Sequence, residues 1–169
     1  MRTTHLLALV LALAAAGAAT SAAAATQVRE DAAMASANCQ AALPAYEGLI
    51  RKRPLGVFNE GSSSAFVTCG FPGKRDRVVY SFYISAENTT NARVDIDCTL
   101  VHRWGLPGSP AQYLPKRIHL IPNGSGGPTW RSVFENDNIP FAMASVSCNL
   151  PPGTGLNYLE NWYLEDIGN

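Results

Sequence analysis

The chain has 169 residues, and its 13 Lys and Arg balance 13 Asp and Glu to a formal net charge of zero. This balance excludes the strong positive field with which a protein holds nucleic acid or an anionic membrane surface. About 144 residues follow the first 25, enough for one domain with a single core and too few for two ordinary ones. We therefore expect one domain that has no nucleic-acid partner.

The first 25 residues have the three parts of a secretory signal peptide. The segment begins with Arg2, continues with an apolar run from Leu6 to Ala19 and ends in small residues, Ala23 to Ala25. The apolar run has about 14 residues, whereas a helix needs about 20 to cross a bilayer. No later segment is long and apolar enough to be a membrane anchor. We expect no membrane span and a mature protein that begins near Thr26, exported to the periplasm or to the medium.

Residues 26–45 form an Ala-rich segment that precedes the predicted domain. Its apolar residues have no sustained helical spacing, which indicates a frayed tail or one short helix before Pro44. In residues 46–169, short runs rich in Val, Ile, Phe and Tyr alternate with clusters of Gly, Pro, Asn and Ser, a texture typical of all-β domains. The sequence thus divides into a signal peptide (1–25), an Ala-rich segment (26–45) and a single β-sandwich domain (46–169).

Three segments have the clearest strand patterns. From Ala92 to His102 apolar and polar residues alternate, which predicts one buried and one solvent-exposed face. Val78 to Ile84 is rich in β-branched and aromatic residues, and the polar stretch after it predicts a hairpin into Ala92. Phe141 to Leu150 alternates again and stops at Pro151. Weaker strand candidates are Leu55 to Asn59, Ala65 to Cys69, Arg117 to Ile121, Thr129 to Phe134 and Leu156 to Glu165.

About eight short strands without a long helix predict an all-β fold of two packed antiparallel sheets. We expect a disulfide-stapled β-sandwich of immunoglobulin-like or jelly-roll arrangement, and a small closed β-barrel is the alternative. Two basic clusters, Arg51 to Arg53 and Lys74 to Arg77, are interpreted as solvated loops.

Cys39, Cys69, Cys98 and Cys148 are predicted to form two disulfides, because an exported chain meets an oxidising compartment. Their spacing does not match a zinc site, in which pairs of ligands lie two to four residues apart. Four cysteines allow three pairings. We favour Cys98 with Cys148, since both lie at inward positions of well-patterned strands. Cys39 with Cys69 would then tie the N-terminal segment to the Ala65 to Cys69 strand.

The ionisable residues give little support for catalysis. His102 and His119 both lie in strand candidates without a Gly-x-Ser-x-Gly motif, and we interpret both as exposed. Asp95 and Asp97 share the polar face of one strand and, with a third acid such as Glu135, could serve two-carboxylate glycoside chemistry. Solvent-facing charges are the interpretation that we favour for them.

No metal site or cofactor is predicted. The oxygen-rich stretch Glu135 to Asn138 lacks the Gly and the distal Glu of a calcium loop. The Gly-rich stretch Gly124 to Gly127 has no following helix or Lys and is interpreted as a turn rather than a phosphate-binding loop.

Aromatic residues are the remaining candidates for recognition. Their flat faces can stack on sugars or anchor a protein partner. The tryptophans that we single out as binding residues are Trp104, Trp130 and Trp162.

Several short motifs resemble a group of small exported proteobacterial proteins that have four cysteines and a β domain. The motifs are Cys39, Ala65 to Cys69, Val94 to Cys98, Val146 to Gly153 and the residues Leu156, Tyr158 and Glu165. The resemblance implies an envelope or secreted β domain and supplies no catalytic residues.

Together these features favour an exported, non-catalytic β-sandwich module that binds an envelope polysaccharide or an envelope protein. A secreted hydrolase that acts on a glycan through Asp95, Asp97 or Glu135 is one alternative. An envelope scaffold, or an inhibitor of secreted enzymes, is another.

Overall fold

The computed structural model describes residues 25–71, 78–103 and 110–168. Contacts divide the chain into two units, residues 27–165 and a small unit whose described residues are 25–26 and 166–168. In the small unit the amide of Ile167 donates a hydrogen bond to the carbonyl of Ala25. The predicted signal peptide lies outside the described residues, apart from Ala25. Across the described residues, no helix combines the length and the apolar character that crossing a bilayer requires.

Strands dominate the described chain. In order, the elements are β1 Thr26–Met34, α1 Ala35–Asn38, β2 Cys39–Ala41, a 3-10 turn Pro44–Tyr46, β3 Ile50–Arg53, β4 Gly56–Asn59, β5 Ala65–Gly70, β6 Val78–Asn88, β7 Val94–Arg103, β8 Ala111–Leu120, β9 Ser125–Gly126, β10 Thr129–Arg131, α2 Ser132–Glu135, β11 Ser145–Leu150 and β12 Thr154–Asp166.

The strands form two antiparallel sheets. The larger sheet has the order β10-β6-β12-β4-β3, with β1 added to β12 and β9 added to β6. The smaller sheet has the order β2-β5-β11-β7-β8. The all-β sandwich predicted from the strand pattern is therefore confirmed, and the closed barrel is wrong.

The core lies between the inward faces of the sheets. Alternate residues of β7 are buried, as its sequence pattern predicts. The largest fully buried side chains include Trp130, Phe141, Ile84, Ile96 and Leu100. The Trp130 indole N–H donates to the carbonyl of Leu114, 2.8 Å away, so its one polar group is satisfied inside the core.

The predicted hairpin between β6 and β7 is wrong, because the two strands lie in different sheets. The buried amide of Asn88 forms the corner where the chain crosses over: its Nδ2 donates to the carbonyls of Ala92 and Ile121. Its Oδ1 accepts the backbone N–H of Thr90. A polar turn can join strands within one sheet or between two, and here the buried amide satisfies the groups of a crossover.

Both disulfides join neighbouring strands of the smaller sheet. Cys39 is bonded to Cys69 and Cys98 to Cys148, as predicted. In each pair the two cysteines lie directly opposite each other in the strand register. The pairing of β2 with β5 attaches the Ala-rich segment to the smaller sheet.

Several local predictions require correction. The Ala-rich segment is neither a frayed tail nor one helix, since it contains β1 and β2 with the four-residue α1 between them. Arg51 to Arg53 belongs to β3 rather than to a loop, because pairing with β4 extends it. Thr129 to Phe134 is strand only as far as Arg131, and α2 begins at the next residue, Ser132. The cluster Lys74 to Arg77 lies outside the described residues, and the division of the chain at residues 25 and 45 stays a prediction.

Candidate functional site

The three tryptophans predicted as binding residues differ in their position and exposure. Trp130 is completely buried in the core, so its proposed role as a binding residue is wrong: no face of its ring reaches solvent. Trp104 lies outside the described residues. Trp162 lies in β12 and is partly exposed. Of the three, Trp162 is the one that the structure places where a ligand could reach it.

Trp162 shares the outer face of the larger sheet with Tyr83 and Glu160. In the register between β6 and β12, Ser81 lies opposite Trp162 and Tyr83 lies opposite Glu160. Residues directly opposite each other, and residues two apart on one strand, point to the same side of a sheet. Trp162 is therefore the diagonal neighbour of Tyr83.

A β-bulge adds Tyr158 to this group. Leu156 pairs with Ala86 and Leu159 with Ile84, so two residues of β12, Asn157 and Tyr158, lie opposite the single residue Ser85. Such an extra residue redirects side chains locally. The Tyr158 ring packs against Tyr83 with 5.9 Å between ring centroids and 51° between ring planes. We name Tyr83, Tyr158, Glu160 and Trp162 the aromatic face.

Burial affects the ionisation of two polar groups of the aromatic face, Tyr83 and Glu160. Burial raises the pKa of Tyr83 above its usual value. A hydrogen bond with Ser85 lowers this pKa, and a hydrogen bond with Tyr158 raises it. The Tyr83 hydroxyl therefore stays protonated at neutral pH and can both donate and accept a hydrogen bond. Burial, with a smaller contribution from the negative charge of Glu30, raises the pKa of Glu160.

Beside the aromatic face lies a cavity of about 450 Å³, which we name the Phe58 pocket. Phe58 lies opposite Gly155 in the pairing of β4 with β12. A Cβ atom at Gly155 would come within 2.3 Å of the Phe58 ring, so the glycine allows the ring to lie over the strand. The residues that line the pocket are Arg53, Phe58, Asn59, Glu60, Gly61, Glu87, Thr89 and Gly153.

Three charged groups of the Phe58 pocket have hydrogen-bond partners at its rim. Arg53 Nε donates to Glu60 Oε1 at 2.6 Å on one side of the pocket. On the other side, Glu87 Oε2 accepts a hydrogen bond from Asn157 Nδ2 at 3.1 Å. The pocket thus combines an aromatic ring with a cationic donor and two carboxylates.

The outer face of the smaller sheet carries two cross-strand pairs of ionisable side chains on β7 and β8, together with the exposed rings of Phe66 and Tyr113. Asp97 accepts two hydrogen bonds from the Arg117 guanidinium, at 2.6 and 2.8 Å, and these lower the pKa of its carboxyl group. Asp95 Oδ1 lies 2.6 Å from Nδ1 of His119. Both aspartates are exposed, as predicted, and so is His119.

The carboxylates of the hydrolase hypothesis do not converge. Asp95 and Asp97 lie on the outer face of the smaller sheet, whereas Glu135 contacts Lys116, which pairs opposite the inward-facing Cys98. Glu135 also accepts the backbone N–H of Arg131. A two-carboxylate mechanism needs its acids about 5 to 10 Å apart around one bond. Glu135 is separated from the two aspartates by the sheet, and each aspartate contacts a side chain of β8.

The interpretation of His102 as exposed is wrong. His102 is 3% exposed, because it continues the inward-facing row of β7, and its Nε2 lies 3.0 Å from Gln112 Oε1. Burial lowers its pKa, although hydrogen bonds with Gln112 and Asn136 act in the opposite direction. Among the described residues no group of three His, Cys, Asp or Glu could hold a metal ion.

No protein-family model and no curated protein matches the chain. Among solved structures, TmCBM61 in complex with β-1,4-galactotriose is 10% identical, with a TM-score of 0.40 over 81% of this chain and 88% of that chain. The C-terminal family 22 carbohydrate binding module of Clostridium thermocellum Xyn10B is 12% identical, with a TM-score of 0.39 over 85% and 86%. A xylan-binding domain from the same family is 14% identical, with a TM-score of 0.37 over 89% and 92%. The galactotriose and the xylan are ligands of those proteins.

Proposed function

We propose that the protein is an exported, non-catalytic module that binds a glycan through the aromatic face. The observation that carries the proposal is the grouping of Tyr83, Tyr158 and Trp162 on the outside of the larger sheet, beside Glu160. A sugar ring has apolar C–H faces and a rim of hydroxyl groups. Aromatic rings bind the former, and carboxylate and phenol oxygens bind the latter.

The packing of the face supports this proposal. Tyr83 and Tyr158 contact each other and are partly buried, so their rings are already ordered before a ligand arrives. Preformed aromatic surfaces bind with little loss of side-chain entropy. The face therefore resembles a rigid stacking surface more than a set of solvated side chains.

Export is part of the proposal. The first 25 residues have the pattern of a signal peptide, and the two disulfides suit an oxidising compartment such as the periplasm or the medium. A glycan of the cell envelope or its surroundings is then the ligand that the module would meet.

The test is co-sedimentation of the oxidised protein with insoluble cellulose, chitin, xylan and peptidoglycan, with tryptophan emission recorded for the bound fraction. We expect saturable binding to at least one polymer and a shift in emission. Trp162→Ala should abolish the shift and lower the affinity about tenfold, the size of an aromatic hot spot.

Tyr113→Ala is the matched control, because Tyr113 is an exposed tyrosine on the outside of the smaller sheet. Its loss should leave binding unchanged. Absence of binding to every polymer would refute the proposal and direct the search to protein partners. Binding that both Trp162→Ala and Tyr158→Ala leave intact would refute the aromatic face as the binding site.

A further inference from the structure

We infer that the Phe58 pocket and the aromatic face form one groove along β12, which takes a linear oligosaccharide of several sugar units. This inference rests on the proposed function and specifies its ligand. A single sugar or a disaccharide would fill only one part of such a groove.

Glu87 and Asn157 connect the two parts. Glu87 lines the Phe58 pocket, and its Oε2 accepts the hydrogen bond from Asn157. Asn157 is the first residue of the bulge that presents Tyr158 to Tyr83. The pocket and the rings are therefore joined by a hydrogen bond and two adjacent residues of one strand.

The length of the groove sets the size of the ligand. Phe58 covers Gly155 at one end, and Trp162 lies on the same strand at the other. Because of the bulge, Gly155 and Trp162 lie opposite Glu87 and Ser81, six residue steps apart on β6, which is about 20 Å at a rise of about 3.3 Å per residue. That span is several times the width of one sugar ring, so neighbouring units would contact Phe58, Tyr158 and Trp162 in turn.

The pocket has the chemistry of a sugar subsite at one end of the groove. Its 450 Å³ lies within the range of about 300 to 1,000 Å³ for small-molecule sites. The Phe58 ring would face the C–H groups of one sugar, while Arg53 donates to its hydroxyl oxygens and Glu60 and Glu87 accept from its hydroxyl groups. The ion pair of Arg53 with Glu60 positions both groups in advance.

The experiment measures affinity against length, by calorimetry, for oligosaccharides prepared from the polymer that binds in the sedimentation test. The series runs from the disaccharide to the hexasaccharide, as cello-, chito-, xylo- or peptidoglycan-derived chains. We expect the affinity to rise with each added unit until the groove is filled and then to level off.

Two variants locate the ends of the groove. Phe58→Ala should lower the affinity for the longest chains about tenfold and make the affinity level off at a shorter length. Arg53→Gln leaves the aromatic ring in place, so it tests the pocket if Phe58→Ala fails to fold. In both variants the affinity for the shortest chain that binds should stay that of the wild type.

The two proposals fail in different ways. Absence of glycan binding in every arm refutes the proposed function. Binding that needs Trp162, but is independent of chain length and unchanged in folded Phe58→Ala and Arg53→Gln, leaves the proposed function in place and overturns the groove.

Discussion

The outer faces of the two sheets differ in how their side chains are arranged. On the smaller sheet, Asp95 contacts His119 and Asp97 forms an ion pair with Arg117, so each carboxylate has a partner on the neighbouring strand. On the larger sheet the aromatic face and the Phe58 pocket present partly exposed rings beside carboxylates. Both disulfides belong to the smaller sheet.

This difference separates what holds the fold together from what is available to a partner. Under the proposed function, changes in the smaller sheet should alter stability and leave glycan affinity intact. Changes on the aromatic face should lower glycan affinity and alter stability only slightly. Each of the following measurements tests one side of that separation.

The largest effect is expected from the disulfide that joins β7 to β11. Cys98→Ala with Cys148→Ala opens a loop of 50 residues. The chain-entropy model gives a loss of about 4 kcal/mol in the free energy of unfolding, and slightly less for Cys39 with Cys69. Denaturant unfolding measures the loss. In co-sedimentation at low temperature, the double variant should still bind the polymer that the wild type binds, with the same affinity. A folded double variant without glycan affinity would contradict the separation.

An intermediate effect concerns His102 and pH. Burial lowers the pKa of His102, so the folded protein keeps this imidazole neutral at pH values at which the unfolded chain, with a pKa of about 6.5, binds a proton. The free energy of unfolding should therefore decrease as the pH falls from about 6.5 to 5, with a slope that corresponds to the uptake of at most one proton on unfolding. Unfolding experiments across this range should show a smaller slope for His102→Gln. His119→Gln, at the exposed histidine of the same sheet, is the control that should keep the His102 slope.

The smallest effects have opposite signs on the two faces. Burial raises the pKa of Glu160, so its charge destabilises the folded protein above that pKa, and Glu160→Gln should raise Tm by about 1 °C while weakening glycan binding.

Arg117 lowers the pKa of Asp97, so the negative charge of Asp97 stabilises the fold at a pH above the pKa that this group has in the unfolded chain. Asp97→Asn should lower Tm by about 1 °C or less at 0.15 M salt, because exposed ion pairs are weak. If Glu160→Gln and Asp97→Asn changed Tm in the same direction, the opposite effects assigned to these two charges would be contradicted.

The sequence predicted those parts of the fold that a single strand determines. The alternation from Val94 to His102 reflects one buried face, and that is also why the inward cysteines could be paired correctly. The hairpin failed because local turn residues do not distinguish pairing within a sheet from a crossover between sheets. Asn88 decides this through bonds to Ile121, which lies far along the chain.

The candidate site could be predicted only in part. Trp162 was identified, but Trp130 occupies a three-residue strand, too short for its alternation to reveal the buried face. Tyr83 lies in an almost continuous apolar run, so the sequence does not show which alternate residues of this strand point outward. Its contact with Tyr158 depends on a bulge whose position is fixed by the pairing of β6 with β12. Such cross-strand neighbours follow from the register, which no single segment contains.

The placement of both disulfides within one sheet has a mechanical consequence. The loops that they close span 30 and 50 residues, and no pulling force can extend these residues while the bonds are oxidised. A fully extended chain gains at most about 3.5 Å per residue, so roughly half of the extension of the described chain is withheld. No disulfide joins the two sheets, whereas two pairs of strands in the smaller sheet, β2 with β5 and β7 with β11, stay covalently joined under load. Both β1 and β12 lie in the larger sheet and pair with each other, so tension on these two strands would first separate them and would then stop short of full extension at the disulfides.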